Sequence, residues 1–192
     1  KIITGGICPV CKKKAITVSR GIEVGNIFQL GTKYTESMGM QYIDSEGNLH
    51  YPIMGCYGIG VGRLAASVCE AHHDEYGPVW PMSIAPWQVH LCCMKSADEE
   101  AHAAADKMYD DLQNAGLEVI YDDRKVSAGF MFSDADLLGV PVRVIVSPRN
   151  LKENVCEVVT RDKTYSAKVP VEETVATVKN LVAELMEKCK AE

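Results

Sequence analysis

The stretch that most constrains the chain is GCYGIGVGRLAA, residues 55–66, in which four glycines fall within eight residues. Glycine has no side chain, so another backbone or a ligand can approach such a segment closely. Arg63 follows the glycines and opens a run of good helix formers. A guanidinium at a helix start suits an anion such as phosphate. The alternative interpretation is a glycine-lined strand that packs tightly against a helix.

Two common phosphate-binding motifs do not fit this stretch. A P-loop would close with Gly-Lys-Ser or Gly-Lys-Thr, and neither is present. A dinucleotide fingerprint needs a different glycine spacing and a surrounding βαβ unit, whereas the preceding segment reads as antiparallel strands. The glycine run therefore needs another explanation.

Composition limits the classes of protein to consider. A chain of 192 residues fits one large domain or two small ones, and its net charge of −6 argues against a generally basic nucleic-acid binder. A local basic patch remains possible, since a sum over the chain hides patches. We find no apolar run of the ~18 residues that a bilayer span requires and no signal peptide, so we expect a cytoplasmic protein with no membrane partner. The eight cysteines read as reduced thiols.

The pattern of elements predicts two domains, residues 1–84 and 85–192. The first should hold an antiparallel meander that turns at residues 45–48, followed by a helix from Arg63 to about Glu75. Residues 76–88 contain three prolines and should form a linker without regular structure. The second domain reads βαβαβββα, with a helix over 98–114 capped by Ser96 and a hairpin that turns at residues 162–163. The fold class is thus α/β.

Four segments, in order, resemble the bacterial-type prolyl-tRNA synthetases, which are class II aminoacyl-tRNA synthetases. MGCYGIGVGR resembles their third signature motif, and RGIEVGNIFQLGTKYTE resembles the strand pair before it. YGPVWPMSIAP resembles their linker, and DDRKVSAGFMFSDADLLGVPVRVIV resembles their anticodon-binding domain. The resemblance implies an antiparallel-sheet remnant of a class II catalytic domain followed by a mixed-sheet α/β anticodon-binding domain.

The resemblance also implies roles in the first domain. Arg63 takes the place of the catalytic arginine that holds the γ-phosphate of ATP. The positions that match the ATP site are Gln29, Thr32, Gly58, Gly60 and Arg63. The positions expected at the proline pocket are Cys56, Phe28, Tyr34 and Asn26, with Tyr57 and Glu23 as weaker candidates. Asn26 stands where the family has histidine, and Gly62 stands where serine or threonine is common.

In the second domain the resemblance implies reading of the anticodon, because single-stranded bases are recognised by stacking and by edge hydrogen bonds. The expected contact residues are Asp123, Arg124, Phe132 and Arg143, with Phe130, Lys125 and Arg149 as further candidates. A plain structural role competes for each of them. A phenylalanine such as Phe132 is more often part of a core, and a lone lysine commonly lies on a solvent-exposed surface without a binding role.

The resemblance implies a proline–tRNA ligase that uses ATP and Mg²⁺, with proline, tRNA(Pro) and a second copy of the enzyme as partners. The first two class II motifs are not found, so we expect the chain to be a piece of a longer protein, inactive alone, with Mg²⁺ held mostly by residues outside it. Two alternatives stay open: a non-catalytic tRNA-binding module, and a class II synthetase of threonyl or glycyl type.

Two clusters invite a metal assignment, and we predict none. Cys8-Pro-Val-Cys11 has the spacing of half a zinc site, but a second pair is missing. His72-His73-Asp74 should lie at a helix end, where interaction with the helix dipole is the simpler reading.

Overall fold

The computed structural model describes residues 2–13, 16–94 and 98–190. Its contacts divide the chain into two compact units, residues 1–67 and 68–192. We predicted the boundary between the domains at residues 84 and 85. Residues 68–84 instead cluster with the second unit, because a hairpin at 73–78 packs and hydrogen-bonds within it. Ser96, the predicted helix cap, lies outside the described residues.

The first unit is built on one pair of antiparallel strands. Strand β1 pairs with β4, and a bulge interrupts the register between Gln29 and Gly31. The short strands β2 and β3 pair around the predicted turn at 45–48. The bounds are β1 (Gly25–Gly31), α1 (Lys33–Ser37), β2 (Tyr42–Ile43), β3 (Leu49–His50), β4 (Met54–Ile59) and α2 (Val61–Ala71).

The first unit has little interior of its own. Among its described residues no hydrophobic side chain is buried, and Thr35 is the buried polar one. Ile27 and Tyr57, which are register partners in β1 and β4, are each 82% exposed. A two-stranded hairpin is at best marginally stable in water. Burial within these residues therefore does little to stabilise the unit.

The second unit is a five-stranded mixed sheet with helices on both faces. The strand order is β11-β10-β9-β7-β8, in which β7 runs parallel to both β8 and β9. This confirms the predicted mixed-sheet α/β class. The bounds are β5 (His73–Asp74), β6 (Gly77–Pro78), β7 (Val89–Cys93), α3 (Glu99–Asn114), β8 (Val119–Asp122), α4 (Ala128–Leu138), β9 (Val142–Val146), α5 (Pro148–Leu151), β10 (Val155–Thr160), β11 (Ser166–Pro170) and α6 (Val171–Lys188).

Strand β7 is buried on both faces and divides the interior in two. Val89, Leu91 and Cys93 face the larger cluster, to which α3 and α6 contribute. Cys92 faces a smaller cluster beneath α4, with Met131. A strand buried on both faces reads as a continuous apolar run, which matches VHLCC except for its histidine. The valine stripe of α6 packs on the larger cluster, as its helical spacing predicts.

Several element boundaries differ from the prediction. Helix α2 ends at Ala71, and the next residues form β5, which pairs with β6 inside the proline-rich segment predicted to lack regular structure. Proline is tolerated there because the strand is only two residues long and lies in an isolated hairpin. Helix α3 is capped by Asp98, whose carboxylate accepts from the N–H of Ala101 at 3.0 Å.

Gly139 ends α4 and lets the linker pack against it. Its φ of +71° is the left-handed conformation common after a helix, and a Cβ there would collide with the carbonyl oxygen of Pro78. Trp80 completes this contact, since its indole N–H donates to the carbonyl oxygen of Leu138 at 3.1 Å. Within the described ranges, no helix combines the length and apolar character that crossing a membrane requires.

His90 is the polar exception in β7. It is 2% exposed, and neither ring nitrogen has a hydrogen-bond partner. Burial, with a smaller contribution from the charge of Arg143, lowers the pKa of His90 to about 4. The imidazole is therefore neutral at pH 7, and it also faces the charges of Asp122, Arg124 and Asp134.

We expect the free energy of unfolding to fall less at acid pH in His90→Leu than in the wild type. A histidine whose pKa falls from 6.5 unfolded to about 4 folded stabilises the fold above about pH 6.5, and that contribution is lost as the pH drops towards 4. The wild-type free energy of unfolding should fall over this window by about 3 kcal/mol more than that of His90→Leu. Urea titrations at several pH values measure this. The exposed His73→Gln is the control, and parallel curves for wild type and His90→Leu would contradict the assignment.

Candidate functional sites

The register of β1 and β4 sorts the predicted residues of the first unit onto two faces. Asn26 lies opposite Gly58, and Phe28 lies opposite Cys56. Residues directly opposite in an antiparallel pair share a face, so these four line one side of the ribbon. Gln29, opposite Gly55, lies on the other side, as the period of two requires. The structure thus brings together three of the expected proline-pocket residues with Gly58, and it separates Gln29 from them.

The glycine run keeps this face bare without special backbone conformations. None of Gly55, Gly58, Gly60 and Gly62 has a positive φ. A Cβ at Gly58 would meet nothing closer than the Asn26 side chain at 3.9 Å, so open space lies above it. The crowded glycine is Gly25, where a Cβ would lie 2.8 Å from the carbonyl oxygen of Gly58. Sequence reasoning did not single out Gly25, because its requirement comes from the partner strand.

Arg63 lies in the first turn of α2, next to this bare face. Its Nη1 donates to the backbone carbonyl of Glu23 at 2.7 Å, and the rest of the guanidinium is exposed. The amide of Asn26 donates to the carboxylate of Glu23 at 3.2 Å. Gly60 lets the helix start close to β1, since its N–H donates to the carbonyl of Val24 at 2.8 Å. The sequence segment before β1 therefore orients Arg63, with the remaining guanidinium N–H groups free to bind an anion.

The other two predicted residues of the first unit lie at α1. Thr32 is the residue before α1, and its hydroxyl donates to the carboxylate of Glu36. Tyr34 is half exposed, and the ammonium of Lys33 lies 5.4 Å from its ring centroid. These contacts are local to the helix. They tie neither side chain to Arg63.

In the second unit, Arg124 is held by two carboxylates. Its guanidinium forks onto Asp122, with N···O distances of 2.9 and 2.7 Å, and also donates to Asp134 at 2.8 Å. These bonds from Arg124 hold the pKa of the Asp122 carboxyl below its usual value. Phe130 lies under the guanidinium, 5.9 Å from ring centroid to Cζ. Arg124 is therefore a neutralised cation, while neighbouring Asp123 is exposed.

Arg143 forms a second such group on the other side of α4. Its guanidinium pairs with Asp136 and lies 5.6 Å from the ring centroid of Phe132. Phe132 is partly buried against the cluster beneath α4. It serves the core and also presents part of its ring to a cavity, so the two roles weighed for it are not exclusive.

That cavity has a volume of about 480 Å³ and lies where parallel strands β7 and β9 end. In open α/β sheets, ligands bind beyond the carboxyl ends of the strands, where helices leave towards opposite faces. Ser147 follows β9, and its hydroxyl accepts from the N–H of Asn150 to cap α5. The lining residues are Met94, Phe132, Ile145, Ser147, Pro148, Arg149, Asn150, Glu157 and Lys168.

The cavity combines an aromatic edge with cations and hydrogen-bonding groups. Of the expected anticodon residues, Phe132 lines it and Arg143 contacts Phe132, whereas Arg124 lines a different cavity with His90. Asn150 and Lys168 are lining residues that sequence reasoning missed. Ser-Pro after an apolar strand is a helix-start signal and could have pointed to Asn150. Lys168 reaches the site only through hairpin pairing, and nothing local marks it.

Arg161 is a buried cation that donates a hydrogen bond to the backbone of Asp136. This guanidinium is almost fully buried and forks onto Asp74, with both N···O distances at 2.7 Å. It also donates to the carbonyl oxygens of Gly77 and Asp136, at 3.2 and 3.1 Å. Its bonds hold the pKa of the Asp74 carboxyl far below its usual value. Asp74 therefore serves an ion pair rather than the helix-dipole role that the sequence suggested.

Comparison with known proteins defines the class of the second unit. Residues 88–181 match the family of anticodon-binding domains. The structure resembles that of prolyl-tRNA synthetase from Cryptosporidium parvum complexed with L-proline and AMP, with a TM-score of 0.75 over 86% of this chain and 34% of that one. At 24% identity this likeness shows the fold.

Curated relatives cover nearly the whole chain. A proline–tRNA ligase of Thermoanaerobacter sp. (strain X514) is 43% identical over 185 residues, which are 96% of this chain and 32% of that protein. One of Magnetococcus marinus is 46% identical over 180 residues, 94% of this chain and 31% of that protein. Residues 88–181 therefore belong to the anticodon-binding domain family, and the chain as a whole is similar to proline–tRNA ligases, of whose length it spans about a third.

We expect Arg161→Lys to lower the thermal midpoint of unfolding by several degrees. Lysine keeps the positive charge but lacks the planar fork, so Asp74 and two backbone carbonyls lose their partners in a buried place. Calorimetry measures the midpoint. Arg149→Lys, at the cavity rim, is the matched control and should leave it nearly unchanged. Equal midpoints for both variants and wild type would show that the fork contributes nothing.

Proposed function

We propose that this chain is part of an enzyme that activates proline with ATP and transfers it to tRNA(Pro). The supporting observation is the joint presence of an anticodon-binding domain and a bare strand pair that ends at Arg63, in a chain 43–46% identical to proline–tRNA ligases. The proline carboxylate attacks the α-phosphorus of ATP and releases pyrophosphate. The terminal ribose of the tRNA then takes the prolyl group from the adenylate.

The first unit supplies part of the nucleotide site. Arg63 directs its free guanidinium N–H groups at the γ-phosphate, and its bond to the Glu23 carbonyl fixes it before substrate arrives. Such preorganised positive charge lowers the cost of charge that develops on the phosphates. Gly58 and Gly60 leave room for the nucleotide to lie on the strands, and Thr32 is retained as a candidate ATP contact, whereas Gln29 lies on the opposite face of the ribbon.

The proline pocket uses the same face. Phe28 and Cys56 are register partners, and together with Tyr34 they offer the apolar and aromatic surface that a small ring needs. Asn26 supplies an amide donor that is already oriented by Glu23. An amide can donate to and accept from a substrate where a histidine would otherwise act.

We also propose that the enzyme uses Mg²⁺, forms a homodimer and acts in the cytoplasm. Among the described residues no three His, Cys, Asp or Glu side chains converge, so this part of the chain does not fit a metal site. We propose that residues other than those described here hold most of the Mg²⁺ that accompanies ATP. Homodimerisation and a cytoplasmic location are proposed from the relatives' shared activity in translation.

The second unit reads the anticodon through the cavity beyond β7 and β9. A base that enters it stacks on Phe132, while Asn150 and Ser147 present groups to its edge and Arg149 and Lys168 contact phosphate. Arg143 orients the Phe132 ring and is itself held by Asp136. Asp123 and Arg124 do not line this cavity, and we propose them as further contacts to the anticodon loop.

One observation favours a narrower role for the chain by itself. The second unit has a complete core, whereas no hydrophobic residue described in the first unit is buried. A non-catalytic RNA-binding module is therefore the second candidate. The remaining part of a full-length enzyme would cover the exposed strand faces and complete the catalytic site.

Binding of a tRNA(Pro) anticodon stem-loop tests the proposal. We expect the 192-residue chain to prefer it to a stem-loop with a replaced anticodon, and Phe132→Leu to weaken binding about tenfold through lost base stacking. Tyr76→Leu is the matched control, since Tyr76 is exposed and lies outside the cavity. Fluorescence anisotropy measures both affinities. Equal affinity for the two RNAs, or equal loss in the two variants, would contradict the anticodon assignment.

Proline-dependent pyrophosphate exchange tests the first unit. We expect none above background from the 192-residue chain, because its strand pair leaves the catalytic face open to water. Exchange that requires both proline and ATP would refute this and assign the complete activation chemistry to these residues. Where exchange is observed, a panel of amino acids separates a prolyl enzyme from one of threonyl or glycyl type.

A further inference from the structure

Cys8 and Cys11 lie at the two ends of one tight turn near the start of the chain. The N–H of Lys12 donates to the carbonyl of Cys8 at 2.9 Å, and the N–H of Cys8 donates to the carbonyl of Lys13 at 2.9 Å. These two bonds anchor the Cys8 backbone on both sides. The turn thereby places Cys8 and Cys11 three positions apart on one tightly turned stretch of backbone.

The turn also stabilises negative charge on one of the two sulfurs. The backbone N–H groups of Cys11 and Val10 hydrogen-bond to Cys8 and lower the pKa of its thiol, and the Cys11 thiol adds to this. Lys12 and Lys13 follow directly and add positive charge nearby. Partly exposed, electropositive surroundings of this kind are those in which cysteines react.

The buried cysteines of the chain show the opposite behaviour. Burial raises the pKa of Cys92 to about 12, and it raises the pKa of Cys93 and of Cys156 as well. These three thiols lie in the interior of the second unit and are inert. Cys56 is exposed like Cys11, but it lies on a strand, away from any turn of this kind.

We propose that Cys8 and Cys11 form a redox-active dithiol, oxidised to an intramolecular disulfide by low-molecular-weight disulfides. The Cys8 thiolate attacks one sulfur of the small disulfide, forms a mixed disulfide and expels one small thiolate. Cys11 loses its proton and attacks the Cys8 sulfur, so the Cys8–Cys11 bond forms and the second small thiolate leaves. Two protein thiols are oxidised, and one small disulfide is reduced to two thiols.

The backbone of the turn permits the product. Residues three apart in a turn have Cα atoms within about 7 Å of each other, and a disulfide accepts Cα separations of about 4.4–6.8 Å. The bond can therefore form within the turn itself, without rearrangement of β1, which begins at Gly25. A closed structural zinc site would need four ligands, and the described residues bring no third His, Cys, Asp or Glu to this pair.

Oxidised glutathione is the probe that tests the assignment. The reduced 192-residue chain is incubated with it, quenched with N-ethylmaleimide over time, and mapped by mass spectrometry. We expect the Cys8–Cys11 disulfide as the first product of wild type. Cys11→Ser should accumulate glutathione on Cys8 at the wild-type rate, and Cys8→Ser should react at Cys11 at least about tenfold more slowly. Cys56→Ser is the control and should behave as wild type.

Three results would overturn the proposal. The first is glutathione that appears on Cys56 or Cys11 before Cys8, and the second is a Cys8 mixed disulfide that persists in wild type. The third is one equivalent of Zn²⁺, held by the reduced chain, that protects both thiols and is lost in both serine variants. That result would assign the pair to a metal. All three readouts are independent of RNA binding and of proline activation.

Discussion

The guanidinium of Arg161 is the interaction on which the second unit most depends. It binds the Asp74 carboxylate and two backbone carbonyls from a nearly water-free position, so it joins the β5–β6 hairpin to the end of α4. One of those carbonyls belongs to Asp136, whose carboxylate pairs with Arg143. A buried cation that lost any of these partners would carry a large desolvation cost. The orientation of Arg143 at the cavity thus rests on a residue remote from it in sequence.

The first unit is governed by a different constraint, the closeness of two strands. At Gly25 a side chain would collide with the carbonyl oxygen of Gly58. At Gly58 a side chain would meet no atom closer than 3.9 Å, so the face above Gly58 is open. One glycine is needed for packing and the other leaves a surface bare. Gly25 lies outside the glycine run of residues 55–62, so its packing does not decide between the two explanations of that run. On the reverse face, the side chains of Ile27 and Tyr57 are exposed.

Local patterns predicted the elements whose cause is local. The period of α6 and the turn at residues 162–163 were predicted from the local sequence, and the parallel portion of the sheet was predicted from the order of the elements; each is confirmed. The β5–β6 hairpin was missed because its pairing is favoured by Arg161, more than eighty positions away. The same limit applies at the sites. Arg63 and Phe132 carry local signals, whereas Lys168 and Gly25 owe their places to a partner strand.

The proposed RNA site is compatible with an acidic chain, because the cations of this chain are oriented by carboxylates and are not clustered together. Arg124, Arg143 and Lys168 each pair with Asp or Glu, which cancels long-range charge but fixes where each donor points. Many unpaired lysines would bind any polyanion, because the free energy of counterion release does not depend on the nucleotide sequence. In that proposed site, where few net charges lie at the cavity, affinity would come from stacking on Phe132 and from hydrogen bonds to base edges. Those are the interactions that distinguish one anticodon from another. The net charge of −6 thus favours discrimination over general affinity.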